Sequence, residues 1–304
     1  MSKIISEEAI IRRNIWVDKI DKIDGHFASN SEIIEKELDK EIKQSGYSCL
    51  LDHLRLGGNI PESYGHDTSE EKQYSKYTDA LLAFAYKSMG LKSLVITERA
   101  DVADVEGYGK SFSFVADAKA FRLSRTAKNQ KDFKVQAMDR WKHGKPFAMV
   151  VCPIYQLPSR NSQIYLQAIT RNVCIFTYSH LSLLVRYANE VSLSRAEDLL
   201  LEIFNIIPAL NPSKSAVDYW LAVNKTILGH SKSIFELWQD EKLAATESIE
   251  NAKIEALKYL SSERDKIMRM SHEEALVELV KASKIDSKIR IIEHISDNGL
   301  FGVK

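Results

Sequence analysis

The sequence predicts a mixed α/β fold, a central sheet flanked by helices, with helical regions at either end of the chain. Three observations carry this. Apolar residues recur at helical spacing from Ile4 to about Lys43 and again beyond Arg195. Between these regions the period shortens: "LKSLVITE" (Leu91–Glu98) is β-branched and "SFSFVADAKAF" (Ser111–Phe121) aromatic, as in strands. Two further runs, "FAMVVCPIY" (Phe147–Tyr155) and "VCIFTY" (Val173–Tyr178), are almost continuously apolar, the pattern of strands covered on both faces.

In chain order, Ile4, Ile11 and Ile15 share one helical face. "NIPESYGHDTSE" (Asn59–Glu70) is a turn-rich linker. Thr68 or Ser69 is placed to cap the next helix, and Glu70 and Glu71 suit its electropositive end. That helix, Glu71 to Met89, carries Tyr74, Tyr77, Leu81, Phe84 and Ala85 on one side and stops at Gly90. "RADVADVEGYGK" (Arg99–Lys110) reads as an acidic turn with Gly107 and Gly109 between the first two strands. A helix over Lys131–Lys145 then presents Phe133, Ala137 and Trp141 to the core, as packing rather than a base-stacking platform. A short helical linker joins the last two strands, and His180–Ala188 forms a helix after them. Beyond Arg195 there is no strand signal, and Ser271 with Glu274 forms a capping box. The expected organisation is one domain over 1–304: a helical region 1–59, a mixed core 60–190 and a helical region 191–304.

With 42 basic and 42 acidic residues, no global field draws the chain to a polyanion. Apolar content of 44% supplies a core without any bilayer-spanning run, so the expectation is a soluble cytoplasmic protein with no membrane partner. Cys49, Cys152 and Cys174 lack ligand spacing and read as buried reduced thiols. No two histidines form a ligand-spaced pair, and His143 and His180 read as helix-terminal residues rather than general bases.

Against this neutral background, Phe112–Val135 places Lys119, Arg122, Arg125, Lys128, Lys131 and Lys134 at every third position, interrupted only by Asp117 and Asp132. A solvated charged surface is the plain explanation of such a run. The scarcity of opposite charge, and the presence of Ser124, Thr126, Asn129 and Gln130, point instead to phosphate and base contacts.

Residues two apart on a strand share a face, so Asp117 and Lys119 emerge side by side. A carboxylate can hold a hard divalent cation, and an ammonium can orient a water and stabilise developing negative charge. One carboxylate rarely suffices, and Glu98, Asp101, Asp104 and Glu106 all precede it as candidates for a second. Asp-x-Lys alone is a weak signal; its place after an acidic turn, on a strand and before a basic run gives it weight.

"VADAKAFRLSRTAKNQKDFKV" (Val115–Val135) closely resembles the corresponding segment of the HindIII restriction endonuclease family. "IPESYGHDTSEEKQYSKYTDALLAFAYKSMGL" and "HEEALVELVKASKIDSKIRIIEHI" are similar to its helices before the sheet and at the C-terminus. The resemblance implies a PD-(D/E)xK nuclease core and a homodimer using Mg²⁺, with Mn²⁺ as a substitute. It also implies cleavage of double-stranded DNA at AAGCTT after the first A, leaving 5′ overhangs, and a cognate DNA methyltransferase as functional partner. Carried over by residue, Asp117 and Lys119 take the D-x-K places and Asp104 the second metal carboxylate, with the Ala118 carbonyl as a further ligand and Glu98 as a supporting acid. Arg122, Arg125, Thr126, Ala127, Lys128, Asn129, Lys131 and Asp132 become the DNA contacts, Asn129 and Lys131 as base readers and Asp132 as an orienting residue. Ala120 stands where the family has serine, and the turn before Asp117 is shorter, which leaves Asp101 and Asp104 as rivals for the second ligand. Two other readings share the fold: a DNA-binding protein without activity, and a nuclease of this superfamily with another target.

Overall fold

The structure is a computed structural model that describes residues 3–23, 27–96, 102–125 and 130–294. It divides into two compact units, Met1–Ala256 and Leu257–Lys304.

The first unit is built on five strands: β1 (Lys92–Val95), β2 (Val105–Tyr108), β3 (Ser113–Ala118), β4 (Phe147–Cys152) and β5 (Val173–Thr177). They lie in sequence order. β1, β2 and β3 form an antiparallel meander, while β3, β4 and β5 run parallel. The acidic turn expected between the first two sheet segments therefore contains a strand of its own. Gly107 concealed it: a Cβ there would lie 2.3 Å from the Phe114 ring, so the position admits only glycine in this packing. The other strands are shorter than their apolar runs. Pro153 cannot continue the ladder after Cys152, and Thr177 leaves β5 to cap the following helix by accepting from His180 N.

Helices cover the sheet. α1 (Glu7–Asp21) and α2 (Phe27–Gly57, broken at Gly46 with φ 75°) precede α3 (Ser69–Ser88). α3 packs on β1, β2 and β3, and α6 (Tyr178–Glu190) joins it over β4 and β5. α4 (Val135–Trp141) and α5 (Gln163–Arg171) pack together against β3, β4 and β5, which explains why every residue of β4 is buried. α7 (Leu193–Ala209), α8 (Ala216–His230) and α9 (Ile234–Met268) follow. Among the described residues, no helix is long and apolar enough to cross a membrane.

α3 follows its sequence closely: Thr68 caps it, Tyr74, Tyr77, Leu81, Phe84 and Ala85 are buried, and Gly90 leaves it at φ 84°. α4 is shorter than the expected Lys131–Lys145 helix. A 3₁₀ turn over Gln130–Phe133 and left-handed Lys134 (φ 49°) delay its start to Val135, and His143 and Gly144 also have positive φ. α1 forms as expected but buries a different face. Ile11 and Ile15 are exposed, whereas Ala9, Arg13, Trp16 and Ile20 pack inward. Arg13 tolerates that position because it donates to Glu255 and to Asn59 O (3.0 Å). The three cysteines are buried and free.

The second unit holds the end of α9, then α10 (His272–Ala282) and α11 (Ile285–Glu293). The Ser271–Glu274 capping box is formed in both directions.

Candidate active site

β3 delivers Asp117 to the end of the sheet, where it is only 1% exposed. Lys119 N donates to Val151 O (2.7 Å), extending the β3–β4 ladder one residue past the strand. Strand alternation thus persists to Lys119, and its Nζ meets both Asp117 oxygens at 2.6 and 2.5 Å. The antiparallel register pairs Val105 with Ala116, and one more step sets Asp104 opposite Asp117. α3, lying over β1–β3, adds Asp79. Carboxylate oxygens of Asp79, Asp104 and Asp117 lie within 4.8 Å of one another. Lys76, one turn before Asp79, donates to Asp79 (3.1 Å) and Asp104 (2.8 Å).

The electrostatics follow from this crowding. Burial, reinforced by the charge on Asp104, pushes the Asp79 carboxyl well above the ordinary carboxylate range, with Lys76 opposing. Burial works to lower both ammonium groups, but their carboxylate partners outweigh it, so Lys76 and Lys119 are held above the usual lysine value. Three carboxylates offering hard oxygen donors suit Mg²⁺, Mn²⁺ or Ca²⁺ rather than a thiophilic metal.

The exit from the site is clamped. Phe121 N donates to Gly58 O (3.0 Å) and Ile60 N to Phe121 O (3.3 Å). Tyr155 OH donates to Phe121 O (2.6 Å), while Tyr74 OH and Arg13 both donate to Asn59 O. Gln156 Nε2 then holds Arg122 O (3.2 Å) and Arg125 O (3.1 Å). The result is a cleft of about 480 Å³ that runs from the three carboxylates past Phe121 to Arg125, Asp132 and Lys134.

Both the fold and a cleft able to bring a divalent cation to a polyanion are features of a nuclease, and comparison with known proteins decides which. A family model described as HindIII restriction endonuclease matches residues 13–296. The type II restriction enzyme HindIII of Haemophilus influenzae is 30% identical over 281 residues, spanning 86% of this chain and 92% of that protein. The chain belongs to the HindIII restriction endonuclease family. Family membership makes it a type II restriction endonuclease, a site-specific deoxyribonuclease.

Within this HindIII-family fold, the residues read from the sequence fall as follows. Asp104, Asp117, Ala118 and Lys119 line the head of the cleft together. Glu106, a candidate second acid, turns away to accept from Lys145 (2.8 Å) and Tyr108. Glu98 and Asp101 lie outside the described residues, as do Thr126, Ala127, Lys128, Asn129 and the side chain of Lys131. Arg122 is engaged internally, donating to Tyr64 O and lying 3.2 Å from Glu71. Arg125 pairs with Asp132 (2.9 Å) and stacks its guanidinium over Phe121, 4.9 Å from the ring centre. His180, at the start of α6, is buried between Thr177 and Asn224.

The sequence reading passed over Asp79 and Lys76. A signal was present: Asp79 is the only carboxylate between Glu71 and Glu98 and begins the apolar stretch Asp79–Tyr86 of the helix, with Lys76 one turn before it. A buried acid costs stability even with one lysine beside it, so its place on that helix calls for a use.

Proposed function

We propose that the chain hydrolyses both strands of DNA at AAGCTT, after the first A, in a Mg²⁺-dependent reaction with Mn²⁺ as a substitute. The observation that supports this best is the meeting of Asp79, Asp104 and Asp117 with Lys119 at the head of one cleft. Asp104 and Asp117, with the Ala118 carbonyl and Asp79 beside them, offer the oxygens that would hold the cation. Once bound, the cation would supply positive charge to a phosphate oxygen and acidify a water. Lys119 would orient that water and stabilise the charge that builds on the phosphate, its ammonium fixed for the purpose by both Asp117 oxygens. Glu98 would act as a supporting acid.

Arg125, Thr126, Ala127, Lys128, Asn129, Lys131 and Asp132 would contact the DNA, with Asn129 and Lys131 reading bases and Asp132 aligning Arg125. Arg122, tied to Tyr64 and Glu71, would act by shaping the start of that segment. A palindrome is matched by a two-fold protein, so the enzyme would work as a cytoplasmic homodimer with one strand cut by each subunit. A methyltransferase recognising the same sequence would protect the host's own DNA.

Incubating a sequenced plasmid with the protein and Mg²⁺, then mapping the ends, tests this. Cleavage only at AAGCTT, with 5′ overhangs and none in chelator, is expected. Cleavage at another sequence would overturn the assigned site, and no cleavage under any divalent cation would overturn the assigned reaction.

A further inference from the structure

Neither cation binding nor water orientation, as described, calls on Lys76. Yet its Nζ bonds Asp79 and Asp104 at 3.1 and 2.8 Å, and its side chain is only 17% exposed. Lys119 bonds the third carboxylate, Asp117, through both oxygens. Three carboxylates and two ammonium groups thus meet at the head of the cleft, leaving at most one net negative charge. A divalent cation entering alone would compete with Lys76 for the Asp79 and Asp104 carboxylates and would have that ammonium beside it. At such separations the repulsion between like charges is large.

A DNA phosphate changes this balance. It brings one negative charge and free oxygen acceptors into the cleft, and an ammonium on a flexible four-carbon stem can exchange its carboxylate partners for them. We propose that Lys76 holds the affinity for divalent cations low until a DNA phosphate enters the cleft, so that cation uptake depends on DNA. The proposal rests on the nuclease reading above and assigns to that site a means of staying unloaded away from its substrate. If Lys76 were only a structural counter-ion to Asp79, its replacement would alter stability and leave cation affinity unchanged.

Mn²⁺ binding to the full chain, followed by calorimetry and by the electron paramagnetic resonance of the ion, separates these roles. Wild type, Lys76→Met and Lys76→Gln are compared without DNA and with a duplex carrying AAGCTT whose scissile linkage cannot be hydrolysed. Lys76→Gln keeps hydrogen-bond donors for both carboxylates while removing the charge, so it remains informative should the methionine variant fail to fold. Without DNA, the variants should bind Mn²⁺ about tenfold or more tightly than wild type. With the duplex the gap should narrow, as the phosphate takes over the balancing of charge. Equal or weaker DNA-free affinity in the variants would overturn the role of Lys76. Asp117→Asn serves as the control: it should weaken Mn²⁺ uptake in every background. Uptake unaffected by that change would mean the ion sits elsewhere, removing the underlying site and the role of Lys76 together.

Discussion

Asp79 is a single side chain that is poor for folding and stands where the proposed chemistry would use it. Its carboxyl is 2% exposed and faces two other carboxylates, so its ionised form is disfavoured in the folded chain. Asparagine keeps the shape and removes the charge. Asp79→Asn should therefore melt at the same or a higher temperature than wild type while losing roughly one to two orders of magnitude in cleavage rate. A thermal melt and a cleavage assay on the same preparation check both halves. At this scale much of the candidate site's geometry was legible in advance. Asp117 and Lys119 follow from the two-residue period of a strand, which needs no knowledge of what surrounds it. Asp104 needed the β2–β3 register to separate it from Glu106, and register depends on a strand that the sequence concealed. Asp79 is brought in by α3 from far away in the chain, and no local period reports such an approach.

Elements in this protein are placed by a few tightly fitted contacts. β2 carries Asp104 at its leading edge and is held to β3 by the fit of Gly107 under Phe114. Phe114 is fully buried and also packs on Tyr86 and Phe204, so it has no room to retreat. Gly107→Ala should cost about 1–3 kcal/mol in urea unfolding, the usual penalty for overpacking, and should lower cleavage by displacing Asp104. Unchanged stability would show that the sheet edge adjusts freely. The same contact explains why the strand went unread: a glycine in a four-residue strand carries no hydrophobic signal, and the neighbouring acids look like a turn. The inward face of α1 was hidden for the opposite reason. Its exposed Ile11 and Ile15 resemble a core stripe, whereas the inward Arg13 is made acceptable by Glu255 and Asn59, both distant in the chain. The apolar runs of β4 and β5 and the caps of α3 and α10 were readable because each signal is complete within a few residues.

Across the whole molecule, stability should depend on pH through a residue remote from the site. Burial lowers the His180 imidazole from 6.5 to about 4, while Asn224 opposes the shift. A base with a depressed value in the folded chain takes up its proton more readily when unfolded. Its contribution is thus complete above about pH 6.5 and is lost as the pH falls toward 4. From a shift of this size, urea unfolding should show a loss of roughly 3 kcal/mol between pH 7 and pH 4 that is traceable to His180. In His180→Asn that component should disappear, whatever its effect at neutral pH. The balanced total charge belongs to this scale too: attraction to DNA must come from a local arrangement of charge, and binding should weaken steeply with added salt.

The central claim is that the Asp117–Lys119 pair performs hydrolysis and is not needed to recognise DNA. It is tested most directly by measuring cleavage in Mg²⁺ and duplex binding in Ca²⁺, side by side, for Asp117→Ala and Lys119→Ala. Both variants should lose detectable cleavage and still bind an AAGCTT duplex within a few-fold of wild type. Substantial cleavage by either one would place the chemistry elsewhere in the chain.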